Sequence, residues 1–229
     1  MKQMTKVVLA TVAITGLVFA GDVTGKVSFD GKAPTPTKLQ MNADPVCKKA
    51  HAKDVFGEDV VVNSNGTLKN VIVYVKDGLG GKTFPAPPTK LIFDQSGCQY
   101  VPHVLSVSTG QEVEIRNSDP TLHNVHSLSK LNPQFNQGQP SKNMKMTKKF
   151  DKAETFKVKC EVHTWMGAYM GVFNHPFHAV TGADGSFSLR GLPAGDYTVE
   201  AWHEKYGIQS GKVKVDAAGK ATLDFKFKG

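Results

Sequence analysis

A seven-residue segment, CEVHTWM (160–166), places three soft or borderline metal ligands close together in the chain. Cys160, His163 and Met166 are spaced three residues apart, and they offer a thiolate, an imidazole and a thioether. One Cys, two His residues and a weak axial Met are the donors of a blue-copper site. That site needs a second imidazole, so the segment predicts a metal centre that another part of the chain must complete.

The second imidazole is predicted to come from the segment LHNVH (122–126), which carries His123 and His126. Side chains alternate across a strand, so these two residues point to opposite faces if the segment is a regular strand. Only one of them can then face Cys160. Cys160 itself follows an alternating apolar run, which predicts that it lies at the rim of a core.

The stretch from Cys98 to Met166 resembles the cupredoxins, the blue-copper domains of the plastocyanin and amicyanin type. The C-x2-H-x2-M segment is similar to their shortest ligand loop, and the region around 117–125 is similar to their first-ligand region. The resemblance implies a single copper ion, cycling between Cu(I) and Cu(II), with four ligands: His123, Cys160, His163 and Met166. It also implies that Asn124 braces the site near the thiolate.

Several alternatives accompany this assignment. His126 is an extra His and Met170 a second thioether; the family pattern and strand parity favour His123, and the short loop favours Met166. Zinc also binds sets of His and Cys, but it prefers a closed tetrahedron of strong ligands or a bound water, and the neighbouring Met favours copper. In a structural alternative, Cys160 is half of a disulfide.

The chain has three Cys, and an odd count in an oxidising compartment predicts one disulfide and one special thiol. If Cys160 binds copper, Cys47 and Cys98 are the disulfide candidates. The alternative for this pair is a second metal site that also uses His51 and His103.

The N-terminus predicts export. Lys2 and Lys6 precede an apolar run, Val7–Phe19, that is too short to span a bilayer comfortably, and small residues mark a cleavage site after Ala20. Residues 1–20 are therefore interpreted as a signal peptide, and the mature protein as periplasmic or otherwise exported from a bacterium, with no membrane span. An uncleaved anchor is the alternative; no Cys follows the run, which argues against a lipoprotein.

The rest of the chain predicts an all-β fold. Its 229 residues include 22 Gly and 12 Pro, spread between short apolar runs. Asn70–Lys76 is a predicted buried strand, and Val104–Ile115 a predicted hairpin around Thr109 and Gly110. Helical periodicity is absent except for one possible short turn within Asp44–Ala52.

Motifs near the C-terminus, VTGADGSF (180–187) and GLPAGDY (191–197), resemble the carboxypeptidase regulatory-like, or transthyretin-like, β-sandwich. Two strands usual in that family are missing after Pro176, but Val23–Val27 and Asn70–Lys76 fit them. The fold is therefore predicted as a cupredoxin-like Greek-key sandwich combined with a smaller transthyretin-like sandwich.

The predicted organisation is discontinuous. Residues 21–85 and 176–229 form the smaller sandwich, and residues 86–175 form the copper domain inserted between them, at Pro-rich junctions near Phe84–Pro88 and His175–Phe177. An independent C-terminal domain is the alternative. The resemblance implies no peptidase activity, because function depends on a site and not on a fold.

Electron transfer between exported redox partners, such as a cytochrome or a dehydrogenase, is the function that this reading predicts. A copper carrier or sensor is the alternative. The chain shows no Ser-His-Asp pattern, no HExxH and no second copper set with oxidase spacing, so it is not predicted to be an enzyme.

The formal net charge is +8, with a run of lysines that is either a solvated face or a docking patch for an acidic partner. An exported chain without an aromatic stacking motif is not predicted to bind nucleic acid. The lysines are Lys142, Lys145, Lys148, Lys149, Lys152, Lys157 and Lys159.

Overall fold

A computed structural model describes residues 20–216 and 219–229. The predicted all-β fold is confirmed: almost every element is a strand, and the strands form two β-sandwiches. The predicted signal peptide, apart from Ala20, lies outside the described residues.

The strands are β1 (Ala20–Asp30), β2 (Ile72–Asp77), β3 (Leu91–Ser96), β4 (Gln99–Val101), β5 (Val104–Ser108), β6 (Val113–Asn117), β7 (His123–Ser127), β8 (Asn136–Gln139), β9 (Lys145–Lys148), β10 (Glu154–Lys159), β11 (Gly167–Phe173), β12 (His178–Val180), β13 (Ser186–Pro193), β14 (Gly195–His203), β15 (Gly207–Val215), β16 (Lys220–Thr222) and β17 (Phe225–Lys228).

The first sandwich contains the segments that carry the predicted ligands. One sheet has the order β5-β11-β10-β7-β8, and the other β4-β3-β6-β9. In β6 the buried residues alternate with half-buried ones, as expected for a strand with one face on a core. The core between the sheets includes Phe93, Ile115, Val125, Val158 and Met170.

The second sandwich combines strands from both ends of the chain. In one of its sheets β1 lies between β13 and β16 and also pairs with β17; in the other, β2 lies between β12 and β14, and β15 is at the edge. Val73 and Val75 of β2 are fully buried in its core, as are Val27 of β1 and Phe227 of β17. The apolar run in β2 is therefore a central strand covered by later parts of the chain.

The two Pro-rich segments that were predicted as junctions lie beside one another. The rings of Phe84 and Phe177 pack edge to face with their centroids 5.1 Å apart. The chain therefore leaves the second sandwich and returns to it at neighbouring points, which is the usual geometry of an inserted segment.

The predicted hairpin over Val104–Ile115 is wrong. β5 pairs with β11, whereas β6 pairs with β3 and β9 in the other sheet. The Thr109 amide donates to the carbonyl of Phe173, and the Gly110 amide to that of Phe150. Thr109 and Gly110 turn the chain, but their amides bond to β11 and to the segment between β9 and β10, so the connection crosses between the sheets.

One segment within residues 21–85 packs against the first sandwich and not the second. This cap segment, residues 38–56, is closed by a bridge between Lys38 and Phe56. Met41 and Cys47 belong to the core of the first sandwich. The domain boundaries predicted above place the segment with the other sandwich, and no sequence pattern marks the change.

The cap segment also contains the short helical turn that was predicted within Asp44–Ala52. A 3-10 turn (Met41–Ala43) precedes the helix α1 (Pro45–Lys49), and the Asp44 side chain caps the helix by accepting hydrogen bonds from Val46 and Cys47. Across the described part of the chain, no helix has the length and apolar character needed to cross a membrane.

Candidate metal centre

Strand pairing brings the two predicted ligand segments to the same edge of one sheet. β7 and β10 pair antiparallel, so His123 at the start of β7 lies near Cys160, which follows β10. The loop from Cys160 to Met166 then turns back into β11. Two backbone hydrogen bonds close it: Cys160 to the Met166 carbonyl at 3.2 Å, and Met166 to the His163 carbonyl at 2.9 Å.

His123, Cys160 and His163 converge on one point. Their candidate ligand atoms lie within 4.8 Å of one another. The Nδ1 atoms of the two imidazoles are 3.0 Å apart, and the Cys160 Sγ is 3.9 Å from His163 Nδ1. All three side chains are buried, with residue exposures of 0%, 3% and 3% respectively. The structure therefore joins residues that are 40 positions apart in the sequence into one compact donor set.

The two candidate thioethers, Met166 and Met170, are both buried in the core of the first sandwich. Met166 lies in the ligand loop, between the backbone hydrogen bonds that close it. Met170 lies further along in β11, opposite Phe156 of β10. The tight loop favours Met166 as the axial donor.

Each imidazole is held by a carboxylate on its outer nitrogen. His123 Nε2 lies 3.0 Å from Asp119 Oδ2, and His163 Nε2 lies 3.0 Å from Asp44 Oδ2. Metal-binding histidines commonly donate their other N–H to a carboxylate, which fixes the ring and its tautomer. Here the arrangement leaves both Nδ1 atoms free to face Cys160.

Sequence reasoning assigned no role to Asp44 or Asp119. Asp119 is four residues before His123, so the sequence spacing gives a weak indication that the two could be neighbours. Asp44 is 119 residues from His163, and no sequence pattern indicates that contact.

Asn124 lies beside the thiol, as its predicted role requires. Its Oδ1 is 3.3 Å from Cys160 Sγ, and it accepts a hydrogen bond of 2.6 Å from the Glu161 amide. The His163 amide also approaches the sulfur, at 3.4 Å. Asn124 thereby fixes the start of the ligand loop.

Charges within the site favour a thiolate. Burial acts to raise the pKa of the Cys160 thiol, but hydrogen bonds from His123 and from backbone amides outweigh it and lower the pKa. Burial acts to lower the pKa of His123, but Asp119 and Cys160 outweigh it and raise that pKa to about 9. A thiolate is the form of cysteine that binds metals, so the direction of the Cys160 shift favours a soft cation, which must displace the proton held by His123.

Cys47 and Cys98 form a disulfide, with an S–S distance of 2.05 Å, and Cys160 is the free cysteine. The residues of the alternative second metal site do not come together. His51 Nε2 lies 2.7 Å from the Gly97 carbonyl oxygen, whereas His103 contacts Glu204 of the second sandwich. Since disulfide sulfurs are not thiolates, this pair offers no soft metal ligand.

The lysine run divides between two places. One group lies in and around β9 at the edge of one sheet, and Lys157 and Lys159 lie on β10 in the other sheet. Ion pairs occupy three of the lysines: Lys145 with Glu114 at 3.2 Å, Lys149 with Glu112 at 3.4 Å, and Lys159 with Glu161 at 2.9 Å. The run is therefore not one continuous patch.

Comparison with known proteins finds partial likenesses. A family model of the carboxypeptidase regulatory-like domain matches residues 171–228, so the predicted resemblance of this region is confirmed. No curated protein sequence matches the chain.

Among solved structures, a copper-containing nitrite reductase from Thermus scotoductus SA-01 overlaps with 20% identity over 42% of this chain and 25% of its own, with a TM-score of 0.35. This chain thus spans a quarter of that enzyme's length. A Cu(I) amicyanin overlaps with 19% identity over 44% of this chain and 97% of its own, at a TM-score of 0.33. A purple cupredoxin from Nitrosopumilus maritimus gives 20% identity, 37% and 98% coverage, and a TM-score of 0.31.

Proposed function

We propose that this chain is an exported protein that binds one copper ion and transfers single electrons between redox partners. The observation that carries the proposal is the convergence of His123, Cys160 and His163 within 4.8 Å, all buried. Met166, in the same loop, is the proposed axial ligand.

The donor set fits copper better than zinc. A thiolate and two imidazoles with a nearby thioether are the ligands of blue copper, while zinc sites use four strong ligands or three and a water. The two carboxylates beside the imidazoles, those of Asp44 and Asp119, contact the outer Nε2 atoms. They are positioned to support the rings and not to act as further ligands.

Copper bound there would supply one-electron chemistry by alternating between Cu(I) and Cu(II). The protein's own residues would keep the site rigid and dry. The carboxylates fix both rings, Asn124 and two backbone bonds fix the loop, and the core excludes water from Cys160. A site whose ligands move little between the two oxidation states favours electron transfer over the ready copper release that a carrier needs.

The proposed partner is an exported redox protein, such as a cytochrome or a dehydrogenase, with an acidic docking surface. Two apolar side chains near the site, Leu122 and Val162, are 42% and 47% exposed. They immediately precede the proposed ligands His123 and His163. Lysines on β9 and β10 would add a positive field, which speeds association with an acidic partner at low salt.

The test is to add Cu(II) to the purified mature protein and record visible and EPR spectra. Wild-type protein should show an intense thiolate-to-copper charge-transfer band. Cys160→Ala should lose it, while His126→Ala serves as a control that changes a nearby side chain only. An unchanged band in folded Cys160→Ala would refute the ligand assignment.

A second measurement separates electron transfer from the carrier or sensor alternative. An electron-transfer protein is expected to give a reversible voltammogram and to exchange electrons with a redox protein. It should also lose its copper only slowly to a chelator. Rapid loss to the chelator without reversible cycling would instead favour the carrier or sensor.

A further inference from the structure

We infer that the Cys47–Cys98 disulfide positions both metal-binding imidazoles, because it joins the two backbone turns that hold Asp44 and Asp119. The inference rests on the proposed function. The two cysteines are fully buried beside the site, and their sulfurs connect the cap segment to the first sandwich.

On the cap side, Asp44 links helix α1 to the ligand loop. Its Oδ1 accepts hydrogen bonds from the amides of Val46 at 2.7 Å and Cys47 at 3.2 Å. Its Oδ2 lies 3.0 Å from His163 Nε2 and accepts a bond of 2.9 Å from the Thr121 hydroxyl. The carboxylate is therefore fixed by the same backbone turn that carries Cys47.

On the other side, Asp119 is fixed by the turn between β3 and β4. Its Oδ1 accepts from the Gly97 amide at 2.8 Å, and its Oδ2 from the Cys98 amide at 2.7 Å. The same Oδ2 lies 3.0 Å from His123 Nε2.

Gly97 and Cys98 both have positive φ, at 62° and 54°. Two successive left-handed residues form a tight hairpin turn, and here they direct both amides at Asp119. Cys98 adopts a conformation that is uncommon for a residue with a side chain, and the disulfide and the Asp119 bonds hold it there.

The arrangement is the same on both sides of the disulfide. Each cysteine donates its own amide to one aspartate, and each aspartate contacts the outer nitrogen of one imidazole. The S–S bond thus completes a continuous series of contacts from His163 through Asp44, Cys47, Cys98 and Asp119 to His123. Loss of the S–S bond would release the cap segment and allow both imidazole rings to rotate.

The cap segment has another function in this geometry, since it covers the outer edge of His163. The His163 ring is buried against Asp44, and the Trp165 ring lies with its centroid 4.9 Å away. Trp165 Nε1 in turn donates to the Cys98 carbonyl. The disulfide turn therefore also anchors the aromatic side chain that flanks the ligand.

The experiment compares the full-length mature protein with the pair Cys47→Ser/Cys98→Ser and with the apolar pair Cys47→Ala/Cys98→Ala, which places no β-branched residue at the positive φ of position 98. Glu154→Gln is the matched control: it changes a carboxylate that organises the loop around Asn132 in the same sandwich, away from the site. Metal-free protein is examined by 15N-histidine NMR, and copper-loaded protein by EPR and voltammetry.

Wild-type protein and the control should show two slowly exchanging Nε2–H signals without metal, and one set of Cu(II) EPR parameters. The disulfide variants should lose the slow exchange of both signals and give a broadened or mixed EPR spectrum with a shifted potential. Asp44→Ala, which keeps the disulfide, should affect the His163 signal and spare that of His123.

A folded disulfide variant with the ring signals and EPR spectrum of the wild type would overturn the inference. So would loss of the first sandwich in both variant pairs, because the bond would then hold the fold and not the rings. Failure of the wild type to give a copper spectrum would instead refute the proposed function, while the metal-free NMR comparison would still test the disulfide.

Discussion

His126 Nδ1 lies 2.6 Å from the carboxylate of Glu161, and this pair is at the surface, with side chains 22% and 45% exposed. His123, three residues earlier in β7, is completely buried next to Cys160. The two histidines thus occupy opposite faces of one strand, as side-chain alternation predicts, and they have different partners.

The first prediction separates these histidines. His123→Ala should lose or badly weaken Cu(II) binding, because it removes an imidazole from the donor set. His126→Ala should retain stoichiometric copper and the charge-transfer band, because it removes only a surface ion pair, worth about 0–1 kcal/mol. Titration with Cu(II) followed by visible spectroscopy measures both, and equal loss in two folded variants would contradict the assignment.

The second prediction concerns the axial donor. Met166→Leu should keep the charge-transfer band but change the EPR parameters and the reduction potential, which the axial ligand tunes. Met170→Leu is the control of equal volume in the same core, and it should leave both unchanged. Each replacement should cost less than about 1.5 kcal/mol of stability, as volume-conserving swaps do. A spectral change confined to Met170→Leu would identify Met170, and not Met166, as the axial ligand.

The third prediction concerns Gly25 in β1. A Cβ there would lie 1.8 Å from the Leu223 carbonyl oxygen, and backbone atoms cannot move aside as a flexible side chain can. Gly25→Ala should therefore lower the free energy of unfolding by about 1–3 kcal/mol or more, the usual cost of overpacking. Urea unfolding measures the change. Gly138→Ala, also in a strand but with open space around its Cβ, is the control; similar losses in the two variants would argue against close contact of β1 with the C-terminal segment.

The fourth prediction is a loss of stability in mild acid. His178 is half-buried between Ser106 and Ser108, and its partial burial, with the nearby His175, lowers its pKa to about 4. The unfolded chain binds this proton near pH 6.5, so between about pH 6.5 and 4 it binds more protons than the folded protein. Stability should therefore fall with pH in that window, by about 1.4 kcal/mol per pH unit for each such group.

The measurement is urea unfolding at several pH values between 7 and 4 for wild type and His178→Gln. In the variant, the free energy of unfolding should depend less steeply on pH, because up to one fewer proton is taken up on unfolding. His203, whose pKa burial also lowers to about 4, should maintain part of the slope. An unchanged slope in the variant would mean that His178 does not titrate in this way.

The fifth prediction concerns the discontinuous second sandwich. Residues 176–229 alone should be unfolded by circular dichroism and amide exchange, because they lack β1 and β2, which lie inside the two sheets. The Gly57 amide donates to the Thr37 carbonyl, so a short linker can replace the cap segment. A polypeptide that joins residues 20–37, 58–85 and 176–229 by short Gly-Ser linkers should fold. Cooperative folding of residues 176–229 alone would favour the independent-domain alternative.

The sequence was sufficient for features that depend on nearby residues. The spacing of Cys160, His163 and Met166 fixes how far apart these donors can be, because they share one short loop. Alternation along β7 assigned different faces to His123 and His126, and apolar runs such as 70–76 marked strands. These patterns indicated an all-β fold with a metal-binding loop before any tertiary contact was known.

Only the tertiary structure decided which distant groups meet. A turn signal at Thr109 and Gly110 predicts a reversal of the chain, but packing of the two sheets determined that β5 and β6 would not pair. No sequence pattern in the cap segment indicates which of the two sandwiches it packs against. Asp44 contacts His163 across 119 residues because a disulfide and a buried apolar surface bring them together, and such contacts result from the whole fold and leave no trace in local spacing.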